Sequence, residues 1–185
     1  MNPRSASPEY SPLAQALERL ESEANYRLAL IISPAGSGKT KVLRRWVNSH
    51  PQTQVAWVGL LEEHNAPPLF FKALCSALQV LNAQITALFS PSDGKTEAFD
   101  LEERTIELIN ALTVVAQDYF LILDNYQVIE STQIHAAVSL LLDYQPQKMH
   151  LVIASHSDPP LPVPRLRVRR QLIELGLEEL QRSSE

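Results

Sequence analysis

Hydrophobic residues along this chain follow two alternating patterns. Continuous apolar runs, typical of buried parallel strands, predict strands at about 27–32, 54–60, 119–123, 149–154 and 171–175. Between them apolar residues recur at helical spacing, which predicts helices beginning at residue 11 and spanning about 38–49, 67–81, 100–116 and 131–144. Apolar strands separated by helices indicate an α/β fold, in which a five-stranded parallel sheet lies between two helical layers.

Three further segments show neither pattern. Residues 1–10 are rich in proline and serine, and we expect a disordered N-terminal tail there. Residues 90–97 have the composition of a loop, and the prolines within 158–164 predict irregular structure. We therefore expect one domain over residues 11–180, with a short C-terminal tail at 181–185.

Composition narrows the class of protein. The net charge of −5 argues against a dedicated nucleic-acid-binding surface in this segment, because such a surface is basic. The single cysteine, Cys75, lies in an apolar helical pattern, so we interpret it as a core residue in a reducing compartment. No apolar run approaches the length of a membrane span, and no secretory signal begins the chain. We expect a cytoplasmic protein that does not bind membranes.

A phosphate-binding motif lies between the first predicted strand and the next helix. Residues 33–40 read Ser-Pro-Ala-Gly-Ser-Gly-Lys-Thr, a Walker A sequence except that Ser33 stands where glycine is usual. Backbone N–H groups at such a helix N-terminus bind phosphate, Lys39 is expected to reach the β- and γ-phosphates, and the Thr40 hydroxyl is expected to bind Mg²⁺. The predicted nucleotide-binding residues here are Pro34, Ala35, Gly36, Ser37, Gly38, Lys39, Thr40 and Lys41.

A second motif completes the predicted magnesium site. Asp124 follows the apolar run of the third strand, which is the Walker B pattern, and a carboxylate there is expected to help Thr40 hold Mg²⁺. We place Lys39, Asp124 and Asn125 at the catalytic centre. Many P-loop ATPases have a second carboxylate where this chain has Asn125, and a neutral amide orients water but does not accept its proton. Nucleotide binding is therefore better supported than turnover.

Other residues near the strand ends are open to two interpretations. His156 follows the fourth strand, where it either senses the γ-phosphate or is a solvated loop residue. Glu62 and Glu63 follow the second strand and are either substitutes for the missing carboxylate or solvated side chains. The arginines of 165–170 either contact a nucleotide or partner or form a solvated face; the remaining histidines lack metal-ligand spacing.

Several segments together resemble one protein family. They are residues 33–40, Val55-Ala56-Trp57-Val58-Gly59-Leu60, the run Leu121 to Gln127, and the tail Ala154-Ser155-His156-Ser157-Asp158-Pro159-Pro160-Leu161-Pro162. Together with the stretch from Pro164 to Leu175, they resemble the NB-ARC/NOD-like nucleotide-binding module of MalT-like, LuxR-type ATP-dependent transcriptional regulators, which are STAND-class signal-transduction ATPases. The resemblance implies a P-loop domain with strand order 5-1-4-3-2. The family usually has an acidic residue where Asn125 stands and an arginine where His156 stands.

The resemblance implies an inducer-responsive switch that holds ADP at rest and ATP when active, and that self-associates in the ATP state. It also implies that DNA contacts are made by domains absent from this chain. Our preferred function is an ATP/ADP- and Mg²⁺-binding regulatory domain with weak or no hydrolysis. An active small P-loop ATPase and a degenerate interaction domain without nucleotide remain alternatives. A GTPase is disfavoured because the chain has no Asn-Lys-x-Asp motif.

Overall fold

The chain folds around a parallel β-sheet, seen here in a computed structural model that describes residues 26–81 and 99–176 together with residues 22, 85 and 88. The strands are β1 (Leu28–Ile32), β2 (Gln54–Gly59), β3 (Tyr119–Asp124), β4 (Met149–Ser155) and β5 (Leu172–Leu175). The α-helices are α1 (Lys39–Ser49), α2 (Pro67–Leu78), α3 (Leu101–Leu112), α4 (Thr132–Asp143) and α5 (Val163–Val168). Two short 3₁₀ turns, Glu62–Asn65 and Tyr126–Val128, follow β2 and β3.

The strand order is β2-β3-β4-β1-β5, with every neighbouring pair parallel. This is the predicted order 5-1-4-3-2 viewed from the other edge, so the predicted fold is confirmed. In register, Gly59 pairs with Asp124 and Ile32 with Ser155, which aligns the carboxyl ends of the four strands β2, β3, β4 and β1. The loops that follow these strands therefore meet at one edge of the sheet.

Helices cover both faces of the sheet because successive strand residues point to opposite sides. Leu28 and Leu30 of β1 contribute to the core beneath α2, α3 and α4, whereas Ala29 and Ile31 contribute to the core beneath α1. Strands β3 and β4 are buried throughout, which explains their unalternating apolar sequences. Cys75 is buried in α2, as the helical pattern predicted.

One prediction about secondary structure was wrong. The proline-rich segment 158–164 is not irregular to its end, because α5 begins at Val163 and places Pro164 in its first turn. Proline is compatible with that position, since first-turn N–H groups have no intrahelical acceptor. Helices α2 and α3 end at Leu78 and Leu112, a few residues before the predicted ends.

Several predictions lie outside the described residues: the two tails, the helix beginning at residue 11, and the loop 90–97. Among the described residues, no helix is long and apolar enough to cross a membrane.

Candidate phosphate-binding site

Loop 33–40 connects the buried strand β1 to α1 and curves by means of two glycines. Gly36 and Gly38 have φ angles of 77° and 89°, in the left-handed region that favours glycine. Gly38 is the N-cap of α1, and its carbonyl accepts the Val42 N–H at 3.0 Å. The N–H groups of the first helical turn have no acceptor within the helix, so they are the groups at the end of this loop that can donate to a phosphate.

Ser33 is the residue at which the loop departs from the usual motif, which begins with glycine. Its backbone does not adopt a positive φ, so a side chain is tolerated there. The Ser33 and Ser37 hydroxyls form a hydrogen bond at 2.5 Å across the loop, and the Ser37 N–H donates to the Pro34 carbonyl at 3.2 Å. Serine thus adds a contact that closes the loop.

Lys39 is buried at the base of the loop, with 8% of its surface exposed. Its ammonium group donates to the carbonyl oxygens of Ser33 at 2.5 Å and Pro34 at 3.0 Å. Burial lowers the pKa of the Lys39 amine from its ordinary value, and the Asp124 carboxylate has a smaller, opposite effect. The amine is therefore held within the loop by two carbonyl oxygens, at a position where its protonated form can bind an anion.

Thr40 and Asp124 are in direct contact. The Thr40 hydroxyl donates to Asp124 Oδ2 at 2.7 Å, although the two residues are 84 positions apart. Asp124 ends β3 with only 2% of its surface exposed, and its Oδ1 accepts the Asn125 N–H at 3.0 Å. A hydroxyl and a carboxylate oxygen are both ligands that Mg²⁺ accepts, so the arrangement can hold this ion beside the loop.

Asn125 and His156 lie at the same edge of the sheet as Lys39. Asn125 adopts a left-handed conformation with φ 64°, which asparagine tolerates better than most residues. The His156 N–H donates to the Gln127 side-chain carbonyl at 3.2 Å, which joins the loops after β3 and β4. The two residues about which the sequence left most doubt are thus brought to the candidate site.

An open pocket of about 840 Å³ lies over the loop. Its walls contain eight of the predicted site residues, whereas Pro34, Ser37 and Asp124 do not line it. The residues that line it are Ala35, Gly36, Gly38, Lys39, Thr40, Lys41, Arg44, Arg45, Asn48, Asn125, Gln127 and His156.

The sequence analysis predicted Lys41 but missed Arg44 and Arg45, which complete a cationic side of α1. Lys41, Arg44 and Arg45 are exposed on this helix and line the pocket with Lys39, and the pocket walls contain no carboxylate residue. None of these three side chains forms an ion pair within the described part of the chain; Arg44 instead lies 5.8 Å above the Trp57 ring. The signal was present as a polar helix face continuing from Thr40, spaced three and four residues apart.

The arginines after β4 do not reach the pocket. Arg165 forms an ion pair with Asp143, and Arg167 forms one with Glu174. None of the arginines of 165–170 is among the pocket-lining residues. In the described ranges no group of histidine, cysteine and carboxylate side chains has the arrangement of a metal centre.

The sheet order and the glycine-bent loop before α1 together define a P-loop domain. No protein-family model matches the chain. The chain is similar to Cdc6p from Pyrobaculum aerophilum, with a TM-score of 0.54 and 16% identity, covering 92% of this chain and 48% of that one. At this identity the likeness supports the fold alone.

Curated relatives narrow the family. The chain is 35% identical over 164 residues to the HTH-type transcriptional regulator MalT of Cronobacter sakazakii, and 34% identical over 164 residues to that of Serratia proteamaculans. Each match covers 89% of this chain but 18% of the relative. The chain is a MalT-like P-loop module, as the resemblance in its sequence indicated.

Proposed function

We propose that this domain binds ATP or ADP with Mg²⁺ at loop 33–40. The observation that carries the proposal is the contact between Thr40 and Asp124 at 2.7 Å, next to the buried Lys39 amine. A polyphosphate would accept hydrogen bonds from the first-turn N–H groups of α1, and Mg²⁺ would bind the Thr40 and Asp124 oxygens. Pro34, Ala35, Gly36, Ser37, Gly38, Lys39, Thr40 and Lys41 would form the phosphate cradle.

The exposed cations of α1 support a highly charged ligand. Lys41, Arg44 and Arg45 have no carboxylate partner in the described chain and share one pocket with Lys39. Their positive potential would offset the negative charge of a nucleotide and attract it to the pocket. This local potential opposes the net charge of −5 on the chain as a whole.

The biological role we propose is that of a regulatory switch. The curated relatives are HTH-type transcriptional regulators, and this chain spans 18% of their length. We infer that residues 11–180 form the nucleotide-binding unit of such a regulator, which acts in the cytoplasm. DNA contacts would then be made by other domains, and the ATP state would favour self-association.

We propose weak or no turnover by this domain. The residue after Asp124 is Asn125, whose amide can hold a water molecule but cannot accept its proton. His156, which lines the pocket over loop 33–40, would contact the γ-phosphate end and distinguish ATP from ADP. Both residues replace side chains that are charged in the family that the sequence resembles.

Nucleotide binding is tested by its effect on stability. A ligand that binds only the folded state at about 100 times its Kd stabilises that state by about 2.7 kcal/mol. Mg-ADP and Mg-ATP should each raise the melting temperature of the wild type, and Lys39→Ala should abolish the rise. Arg104→Ala, remote from the pocket and paired on the surface with Glu107, is the matched loss of one cation and should keep the rise.

The purified protein must also be denatured and assayed for nucleotide that it already carries. Absence of both a bound nucleotide and a stability shift would contradict the proposal and favour a degenerate interaction domain. Fast ATP hydrolysis by the wild type would instead favour an active ATPase.

A further inference from the structure

A 3₁₀ turn lies beside the candidate site and is held there by one side chain. Residues Glu62–Asn65 form this turn shortly after β2 ends at Gly59. The Asn65 amide donates to the carbonyl of Glu62 at 3.1 Å and to that of Val128 at 2.8 Å. The side-chain carbonyl of Asn65 accepts hydrogen bonds from the N–H groups of Glu130 at 2.6 Å and Ser131 at 3.1 Å. Asn65 therefore fixes the turn against the loop that follows β3.

This clamp places acidic residues next to Asn125. A second pocket, of about 520 Å³, is lined by Glu62 and Glu63 from the segment after β2 and by Asn125 and Gln127 from the segment after β3. Asn125 and Gln127 also line the pocket over loop 33–40, so the two pockets meet at these residues. The Leu60 N–H, which donates to the Asp124 carbonyl at 2.8 Å, continues the sheet up to this point.

The two glutamates differ in their surroundings. The Glu63 carboxylate lies 4.0 Å from His64 Nε2, whose ring also accepts the Leu61 N–H at 2.9 Å through Nδ1. The Glu62 carboxylate forms no hydrogen bond or ion pair within the described residues, while its backbone is held by Asn65. Glu62 is thus a carboxylate on a fixed backbone, free to bind a water molecule.

We propose that Glu62 is the general base for slow ATP hydrolysis at this site, with Asn125 orienting the attacking water. The proposal rests on nucleotide binding at loop 33–40. The water oxygen would form the new bond to the γ-phosphorus, and the bond from that phosphorus to the β,γ-bridging oxygen would break. The electron pair would leave with ADP, and the Glu62 carboxylate would take the proton of the water. The products are ADP and inorganic phosphate, and the proton is then released to solvent.

The structure gives a reason for the unusual Asn125. A carboxylate at position 125 would add another negative charge to the pocket that Glu62 lines, whereas an amide can donate a hydrogen bond to the same water that Glu62 accepts from. In this arrangement the base comes from the β2 loop and the orienting group from the β3 loop, and Asn65 sets the spacing between them. Glu62 would be a catalytic residue and Asn65 a positioning residue.

The test measures phosphate release from γ-radiolabelled ATP in single turnover with excess protein, for the wild type and four variants. Glu62→Gln should lower the rate about 10²-fold, the lower end of what a general base contributes. Glu130→Gln, an exposed glutamate on the loop after β3 that lines neither pocket, is the matched control and should keep the wild-type rate. Adding Asn125→Asp to Glu62→Gln should restore turnover, because the new carboxylate can accept the proton of the water. Asparagine and aspartate both tolerate the left-handed backbone at this position, so the loop should keep its conformation.

Binding of a fluorescent ATP analogue is measured in parallel, and the three variants with a single Glu→Gln change should bind it as the wild type does. Loss of rate in Glu63→Gln instead of Glu62→Gln would overturn the assignment, as would wild-type binding of Mg-ATP with no turnover at all. Unchanged turnover in Glu62→Gln would overturn it while leaving nucleotide binding intact. If the wild type itself fails to bind the analogue, the proposed nucleotide binding is wrong, and the proposed role of Glu62 as a base is wrong with it.

Discussion

The hydrogen bond between Thr40 and Asp124 can be tested before any nucleotide is added. Thr40→Ala removes the hydroxyl that donates to the buried Asp124 carboxylate at 2.7 Å, whereas Thr40→Ser retains it. Asp124 keeps one donor, the Asn125 N–H at 3.0 Å, so its charge is only partly deprived of hydrogen bonds. The two variants therefore separate the hydroxyl from the threonine methyl group.

The expected cost follows from the burial of Asp124. A hydrogen bond to a charged group contributes about 1.5–3 kcal/mol to stability. Alanine is a better helix former than threonine by up to about 0.7 kcal/mol, which offsets part of the loss. We expect Thr40→Ala to lower the free energy of unfolding by about 1–2 kcal/mol, and Thr40→Ser to lower it by less.

The assay is equilibrium unfolding in urea, with and without Mg-ADP. Without nucleotide, Thr40→Ala should shift the midpoint to lower urea at an unchanged slope, since the surface exposed on unfolding is the same. With Mg-ADP, the wild type and Thr40→Ser should gain stability that depends on Mg²⁺, and Thr40→Ala should lose most of that dependence. Equal stability of Thr40→Ala and Thr40→Ser without nucleotide would refute the structural reasoning, and an undiminished Mg²⁺ effect in Thr40→Ala would refute its role as a ligand.

Three further predictions concern other parts of the molecule. His156→Arg should strengthen ATP binding relative to ADP binding, and His156→Ala should reduce any preference of the wild type for ATP over ADP. Both affinities are measured by titration calorimetry. The same ratio of ATP to ADP affinity in the wild type and both variants would show that His156 is a solvated residue. Burial acts to raise the pKa of Asp118, but hydrogen bonds from Lys148 and His150 lower it overall. The stability that Asp118 contributes is therefore present above its unfolded pKa of about 3.9 and is lost as pH falls through the lower folded value. The difference in urea midpoint between wild type and Asp118→Asn should narrow from about pH 5 to about pH 2. A difference that widens over this range would contradict the expected sign. Burial raises the pKa of Cys75 to about 12, so a thiol reagent at about pH 8 should modify it only when urea is added, and rapid reaction of the folded protein would contradict its burial.

Much of the fold was predictable because its signals are local. Strands such as β3 and β4 are buried on both faces, so every residue in them is selected for apolarity and the run is visible in the sequence. The strand order came from the family resemblance, and the structure confirms it. The start of α5 at Val163 was missed because the number of prolines outweighed their position, and only in a first turn is proline compatible with a helix.

Some features of the candidate site are determined by local sequence, and others depend on tertiary structure. The sequence by itself determined the bend of loop 33–40, because left-handed backbone at Gly36 and Gly38 depends on residue type at those positions. It also determined that Asp124 ends an apolar strand. Which groups lie within reach of one another was decided by tertiary structure alone.

Parallel register carries Asp124 to Thr40 across 84 positions, and the Asn65 amide holds the turn containing Glu62 against the loop after β3. Arg44 and Arg45 line the pocket from the side of α1 that is not packed on the sheet. Such contacts have no local signature, because hydrogen bonds and charge pairing depend on distances that only the packing of the sheet sets.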